Sequence, residues 1–221
     1  MNNVTWDWGL FEFLNFDGPA WLDTAMTKVS GTLMWIPLYI LIIYLVWRRH
    51  SWRGITTLMW IPLYILIIYL VWRRHSWRGI IAFAFAIGVA ILLADVVAGI
   101  FKHQGPLADL WPSFPARLRP QHTPEGLDFV TNGYNTGYIY GTVSGHTSTI
   151  TAIAILSAVA ADKRWFTMVM ACVATLICYS RIYLACHFPQ DILLGATVGI
   201  VAGVIGVLLF KYGLRLTKRK A

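Results

Sequence analysis

Charge is scarce in this chain: Asp, Glu, Lys and Arg make up 13% of its 221 residues, with ten acids against eighteen bases. So thin a polar complement does not coat a soluble domain of this size. The 57% hydrophobic content exceeds the roughly 45–50% of soluble domains, and the mean hydropathy of +0.61 places the chain in a bilayer. Cysteine is scarcer still. Cys172, Cys178 and Cys186 form an odd set without paired-ligand spacing, which excludes a disulfide framework and argues for packing residues. Nothing around Cys186 favours a thiolate, so thiol catalysis is not expected. The N-terminus lacks the pattern of a secretory leader, because Asp7, Glu12 and Asp17 interrupt it before any apolar core. Residues 1–31 are read as an interfacial segment leading into the first span.

What the chain has in quantity is long apolar runs, at about 33–47, 58–72, 80–101, 147–161, 165–181 and 189–210, near or somewhat below the roughly 20 residues that span a bilayer. Helices are expected, since an open strand leaves its amides unsatisfied in lipid and barrel alternation is missing. The 11 Trp and 10 Tyr often stand beside Arg or Lys at the ends of these runs, as headgroup-level aromatics do. The net charge of +8 comes in short clusters between runs, so no nucleic-acid partner is expected. The fold class is all-α, a multi-pass transmembrane helical bundle forming a single domain over residues 1–221.

Residues Thr32–Ile55 recur letter for letter as Thr57–Ile80. Structural repeats diverge while keeping a pattern, so perfect identity marks a recent duplication or an insertion. The parent architecture is read as five spans, with a possible sixth from the duplicated segment. Lys211, Arg215, Lys218, Arg219 and Lys220 set the C-terminus on the cytoplasmic side. Counting back puts Asp162-Lys163-Arg164 and Arg73, Arg74 and Arg78 inside. The loop 102–145 and the segment 180–190 then emerge together on the outer side.

Those outer segments hold the polar motifs. In Ser180-Arg181-Ile182-Tyr183-Leu184-Ala185-Cys186-His187-Phe188-Pro189-Gln190-Asp191, Pro189 suits the first position of a helix. Phe188 is then the cap, His187 lies just outside, and Asp191 in the first turn reaches back toward the imidazole. A carboxylate on one ring nitrogen leaves the other free to attack. Arg181 offers a fork of donors for phosphate oxygens. Gly141-Thr142-Val143-Ser144-Gly145-His146 precedes an apolar helix whose N-terminal amides suit an anion. Gly145 permits close approach, Ser144 offers a hydroxyl, and His146 is placed to protonate a departing oxygen. Arg119, Arg117 and Lys102 add cations able to spread charge over equatorial phosphate oxygens.

In these residues the chain resembles the type 2 phosphatidic acid phosphatase family over roughly residues 80–210. Ser180, Arg181, His187 and Asp191 match SRxxxxxHxxxD completely. Val143-Ser144-Gly145-His146 matches PSGH apart from Val143. Arg119-Pro120 fits the end of KxxxxxxRP, but Lys102 stands 17 positions before Arg119 instead of seven. The resemblance implies His187 as nucleophile assisted by Asp191, His146 as general acid, and Arg119, Arg181, Ser144 and Gly145 around the phosphate. Either Lys102 returns to the site across an insertion or Arg117 substitutes for it; Lys102 is preferred because it ends a span at the outer face.

Taken singly, each residue has a plainer reading. His50 and His75 are duplicates in basic turns and read as surface residues; His103 and His122 show no partner pattern. Asp95, a carboxylate within an apolar span, calls for a polar partner or cavity and reads as structural or site-supporting. The combined motifs imply a metal-independent membrane phosphatase acting on a lipid phosphate or diphosphate through a phosphohistidine, without cofactor or metal. The implied location is a bacterial inner membrane with the site facing the periplasm or exterior. Undecaprenyl diphosphate, phosphatidylglycerol phosphate and lipid A phosphate are candidate substrates, besides the surrounding membrane lipids; no obligatory protein partner is inferred. A lipid phosphotransferase and a noncatalytic lipid-phosphate binder are the alternatives.

Overall fold

The computed structural model describes residues 5–30, 61–104, 108–123 and 138–219. The first repeat copy, with its span and His50, lies outside them. The described residues fold into helices α1 (Thr5–Leu14), α2 (Ala20–Ser30), α3 (Ile61–Phe101), α4 (Gly145–Ala161), α5 (Arg164–Tyr183) and α6 (Pro189–Arg219). Two short 3-10 turns, Ala108–Leu110 and Pro120–His122, lie between α3 and α4. Among the described residues the only strand-like pairing is an isolated antiparallel bridge between Leu118 and Tyr140.

Among the described residues three stretches are long and apolar enough to cross a bilayer: Leu66–Phe101, Arg164–Tyr183 and Pro189–Leu216; Gly145–Ala161 is a shorter apolar helix. The runs 58–72 and 80–101, expected as separate spans, are joined through α3. At about 1.5 Å per residue, its 41 residues would overshoot a roughly 30 Å hydrocarbon core if straight. They are not straight, because Ser76 adopts φ 61° and ψ −174° and breaks the helix. Ile67 and Val71 before the break share one core cluster with Phe83 and Ala86 after it.

Helices α3, α4 and α6 pack against one another most extensively, and the sequence provides the means. Ala82, Ala86, Ala90, Ala94 and Ala98 recur at every fourth position of α3 and are all buried, so one smooth stripe faces the bundle. On α6, Gly195 and Gly199 bring the backbone against α4: an added Cβ would lie 2.6 Å from the Ser144 carbonyl oxygen and 2.4 Å from that of Ser148. The bulky side chains Phe85, Leu92, Met168, Val201 and Leu208 point outward, where lipid rather than water is the natural solvent. Small groups inside and large apolar groups outside are what close helix packing in a membrane requires.

The basic turns gather at one end of the bundle. Arg74 bridges to Asp162 at 2.5 Å, and His75 packs edge-on against Phe210 at 5.3 Å between ring centroids. The predicted surface character of His75 is therefore only partial: it is half-buried, with Nε2 3.2 Å from the Ala160 carbonyl oxygen.

Gly199→Val should force α4 and α6 apart and destabilise the fold by about 1–3 kcal/mol. Thermal unfolding in detergent should show a lowered Tm. Gly88→Val, where an added Cβ meets nothing within 4 Å, should show a much smaller change.

Candidate active site

The site lies where the loop after α5, the start of α6, the start of α4 and the end of α3 meet. Pro189 opens α6 as expected. Asp191, in its first turn, accepts from the Phe188 backbone N–H at 3.0 Å, the half of a capping box in which a side chain reaches back to the cap. That engagement changes the expected role of the carboxylate. Its Oδ2 stands 3.6 Å from His187 Nδ1, an electrostatic neighbour beyond hydrogen-bond reach. The nearer partner is the Gly141 carbonyl oxygen, 2.9 Å from Nδ1.

A carbonyl only accepts, so the Gly141 contact defines the imidazole tautomer: Nδ1 carries the proton and Nε2 carries the lone pair. Arg119 Nη1 lies 3.2 Å from that Nε2. Gly141 is needed for this approach, since a Cβ there would lie 2.9 Å from Arg119 Cγ and 3.3 Å from His187 Nδ1. Sequence reasoning grouped Gly141 with the second motif but did not foresee its carbonyl as the histidine's partner. Its place beside that motif was the available signal.

Arg119 is held in several places. Its Nε donates to the Tyr140 carbonyl at 3.1 Å and Nη1 to the Cys186 carbonyl at 3.2 Å. Arg181, in the last turn of α5, donates to Ser30 Oγ at the end of α2, while its own carbonyl accepts from the Cys186 and His187 amides at 2.9 and 3.2 Å. Lys102 Nζ reaches within 3.0 Å of the position a Gly145 Cβ would occupy, so the long interval before Arg119 does not keep Lys102 from the site. The loop folds back through a positive-φ turn at His103, whose Nε2 lies 2.8 Å from the Phe114 carbonyl oxygen. Phe114 packs on Phe101 at 4.9 Å. Arg117 is engaged elsewhere: it pairs with Asp7 and lies 3.8 Å above the Phe188 ring.

Lys102, Arg119, Arg181, His187 and Asp191 are all less than a tenth exposed. Burial, followed by Arg119, Arg181 and Lys102, holds His187 well below the ordinary imidazole value. The ring is therefore neutral at neutral pH. Lys102 is lowered to about 8, first by burial and then by Arg119. Burial pushes the Cys186 thiol up, which disfavours a thiolate. Ser144 is fully buried and serves as the N-cap of α4, its Oγ accepting from the Thr147 amide at 3.4 Å. The backbone amide of Ser144 donates to the Asp191 carbonyl at 3.1 Å, joining the two helix starts. His146 is exposed beside this end and lines a cavity of about 280 Å³ with Asp95 and Ile150.

The N-terminal segment, expected at the interface, also packs against the site. Asp7 is fully buried and accepts from the Gln190 amide at 2.8 Å besides pairing with Arg117, so it satisfies an otherwise unpaired amide of α6. Trp8 and Phe11 pack on Phe188 at 5.0 and 5.1 Å. Asn15 Nδ2 donates to the Ile182 and Tyr183 carbonyls at 3.3 and 2.8 Å, closing the C-terminus of α5.

This arrangement joins a neutral imidazole with an available lone pair, three buried cations and an exposed second histidine at a helix N-terminus. The PAP2 superfamily model matches residues 83–215, and the chain belongs to that family. Two relatives are each named lipid A 4'-phosphatase. The Porphyromonas gingivalis protein is 32% identical over 53% of this chain and 47% of its own length, so this chain matches about half of it. The Bacteroides thetaiotaomicron protein is 30% identical over 95% of this chain and 77% of its own length. The crystal structure of Aquifex aeolicus LpxE shares the fold, with a TM-score of 0.59 and 23% identity over 90% of this chain and 93% of that one.

Removing Asp7 leaves the Arg117 cation partly buried without its carboxylate. Asp7→Ala should therefore destabilise the protein by about 3 kcal/mol or more, read as thermal unfolding in detergent. The Asp7→Ala/Arg117→Ala double variant should recover part of that loss.

Proposed function

We propose that this chain is an integral membrane phosphatase that hydrolyses a lipid phosphate monoester of the lipid A type through a phosphohistidine on His187. The observation that carries the reading is the His187 tautomer held by Gly141, with a lone pair at Nε2 facing buried cations. Lipid A is favoured as substrate class by the names of the two relatives.

Arg119 Nη1 lies beside Nε2. An entering phosphate draws that guanidinium onto its own oxygens and releases the lone pair. Arg119, Arg181, Lys102 and the Gly145 amide then bind the equatorial oxygens, while Ser144 shapes the helix end beside them. Nε2 attacks phosphorus in line as the bond to the leaving oxygen breaks. The negative charge of the bound phosphate favours the protonated form of His146, which gives its proton to the leaving oxygen. Neutral His146 next takes a proton from water, which attacks the phosphohistidine and releases inorganic phosphate. Asp191 supports His187 by bracing the Phe188 turn beside it. No metal is required, because the buried cations supply the positive field.

The orientation follows from charge. Lys163, Arg164, Arg74, Lys211 and Arg215 belong to the turns and helix end away from His187. Under the positive-inside tendency that end is cytoplasmic, and the site faces the periplasm in an inner membrane.

Detergent-purified protein should release phosphate from a lipid A 4'-phosphate in the presence of EDTA. His187→Ala, folded by its unfolding profile, should lower kcat by about a thousandfold or more. Release that requires an added divalent ion, or that survives His187→Ala, contradicts the mechanism.

The pH profile provides a separate prediction. A depressed His187 stays neutral from mildly acidic pH upward, so its titration does not limit the neutral range. Lys102 is cationic below about 8 and loses its charge above, so kcat/KM should fall as pH rises through that value. Lys102→Arg, whose guanidinium keeps its proton, should remove this limb.

A further inference from the structure

Asp95 lies on the apolar α3 helix yet is exposed, and it opens onto the cavity shared with His146. The cavity has a volume of about 280 Å³ and is walled largely by Ile91, Ile150, Ile153 and Ile177. Neither Lys nor Arg is among the described residues lining it. Asp95 makes no ion pair with a described residue within 4 Å. Lys102 Nζ and Asp95 Oδ1 lie 3.0 and 3.8 Å from the point where a Gly145 Cβ would stand. The absent side chain therefore leaves a slot between the phosphate-binding cation and this carboxylate. An ionisable group at such a depth is expensive unless it meets a polar partner.

We propose that Asp95 is a specificity-determining residue that selects phosphomonoesters of neutral, hydroxyl- or amide-bearing lipid headgroups against lipid diphosphates. This rests on the phosphatase reading above. His187 attacks from one side, so the leaving group must depart on the opposite side, where His146 and the cavity receive it. A sugar headgroup brings hydroxyl and amide N–H groups to that side, and the carboxylate accepts from one of them while the isoleucines take the acyl chains. In a diphosphate the leaving group is a second phosphate. It carries its negative charge toward Asp95 while the nearby cation, Lys102, is already taken up by the phosphate under attack, and like charges held close in such a setting are disfavoured.

The test compares kcat/KM for two probes in the same detergent, a glucosamine lipid bearing one phosphate monoester and undecaprenyl diphosphate. It uses the wild type, Asp95→Asn and Asp95→Glu, each checked for folding by thermal unfolding, with His187→Ala as control. Wild type should prefer the monoester. Asp95→Asn, which keeps hydrogen-bonding capacity but not charge, should shift the ratio toward the diphosphate by about tenfold or more. Asp95→Glu should restore the wild-type preference. An unchanged ratio in Asp95→Asn, with phosphate release still dependent on His187, overturns the role of Asp95 while leaving the phosphatase reading intact. Absence of His187-dependent release from both probes overturns both.

Discussion

Three cations, Lys102, Arg119 and Arg181, are buried around one imidazole, and the local structure is organised to tolerate their repulsion. Desolvation alone penalises each charge, and proximity adds to the penalty. Lys102 registers both in its lowered value of about 8. The arginines are fastened by polar neighbours: the Tyr140 and Cys186 carbonyls hold Arg119, and Ser30 holds Arg181. Such a field is satisfied by an anion, and it keeps the neighbouring histidine neutral. In the phosphohistidine mechanism proposed above, one electrostatic arrangement would serve both the binding of phosphate and the availability of an unprotonated lone pair on His187.

Holding these groups in place is a task for backbone as much as for side chains. Gly141 brings its carbonyl to His187 because a Cβ would collide with Arg119. Asp191 braces the Phe188 turn, and its own carbonyl fixes the Ser144 amide at the start of α4. The N-terminal helix completes the frame from outside the main bundle, with Asp7 tying Arg117 to the beginning of α6. Beneath this polar layer, the alanine stripe of α3 and the glycines of α6 let three helices approach closely. The geometry of the polar site therefore rests on close packing of small residues through the bundle.

Apolar run length and the lack of charge were sufficient to show a helical membrane protein from the chain alone, because lipid leaves a backbone few other ways to satisfy its hydrogen bonds. The second and third motifs were equally legible, since each lies within a short stretch whose order along a helix start is set by local geometry. Pro189 as the opening of α6 and Asp191 in its first turn were predictable for that reason. Contacts spanning long intervals were not: Asp7 with Gln190 and Ser30 with Arg181 depend on how separate helices pack. Nor did the pattern show that Asp191 would serve the Phe188 amide while Gly141 takes His187 Nδ1, because several acceptors compete for one donor and three-dimensional distance decides among them. The break at Ser76 falls between the apolar runs 58–72 and 80–101, where the sequence reading placed a basic turn. Local chemistry was written in the sequence, whereas the partner of each buried polar group was decided by the tertiary structure, since burial makes hydrogen bonding compulsory without naming the acceptor.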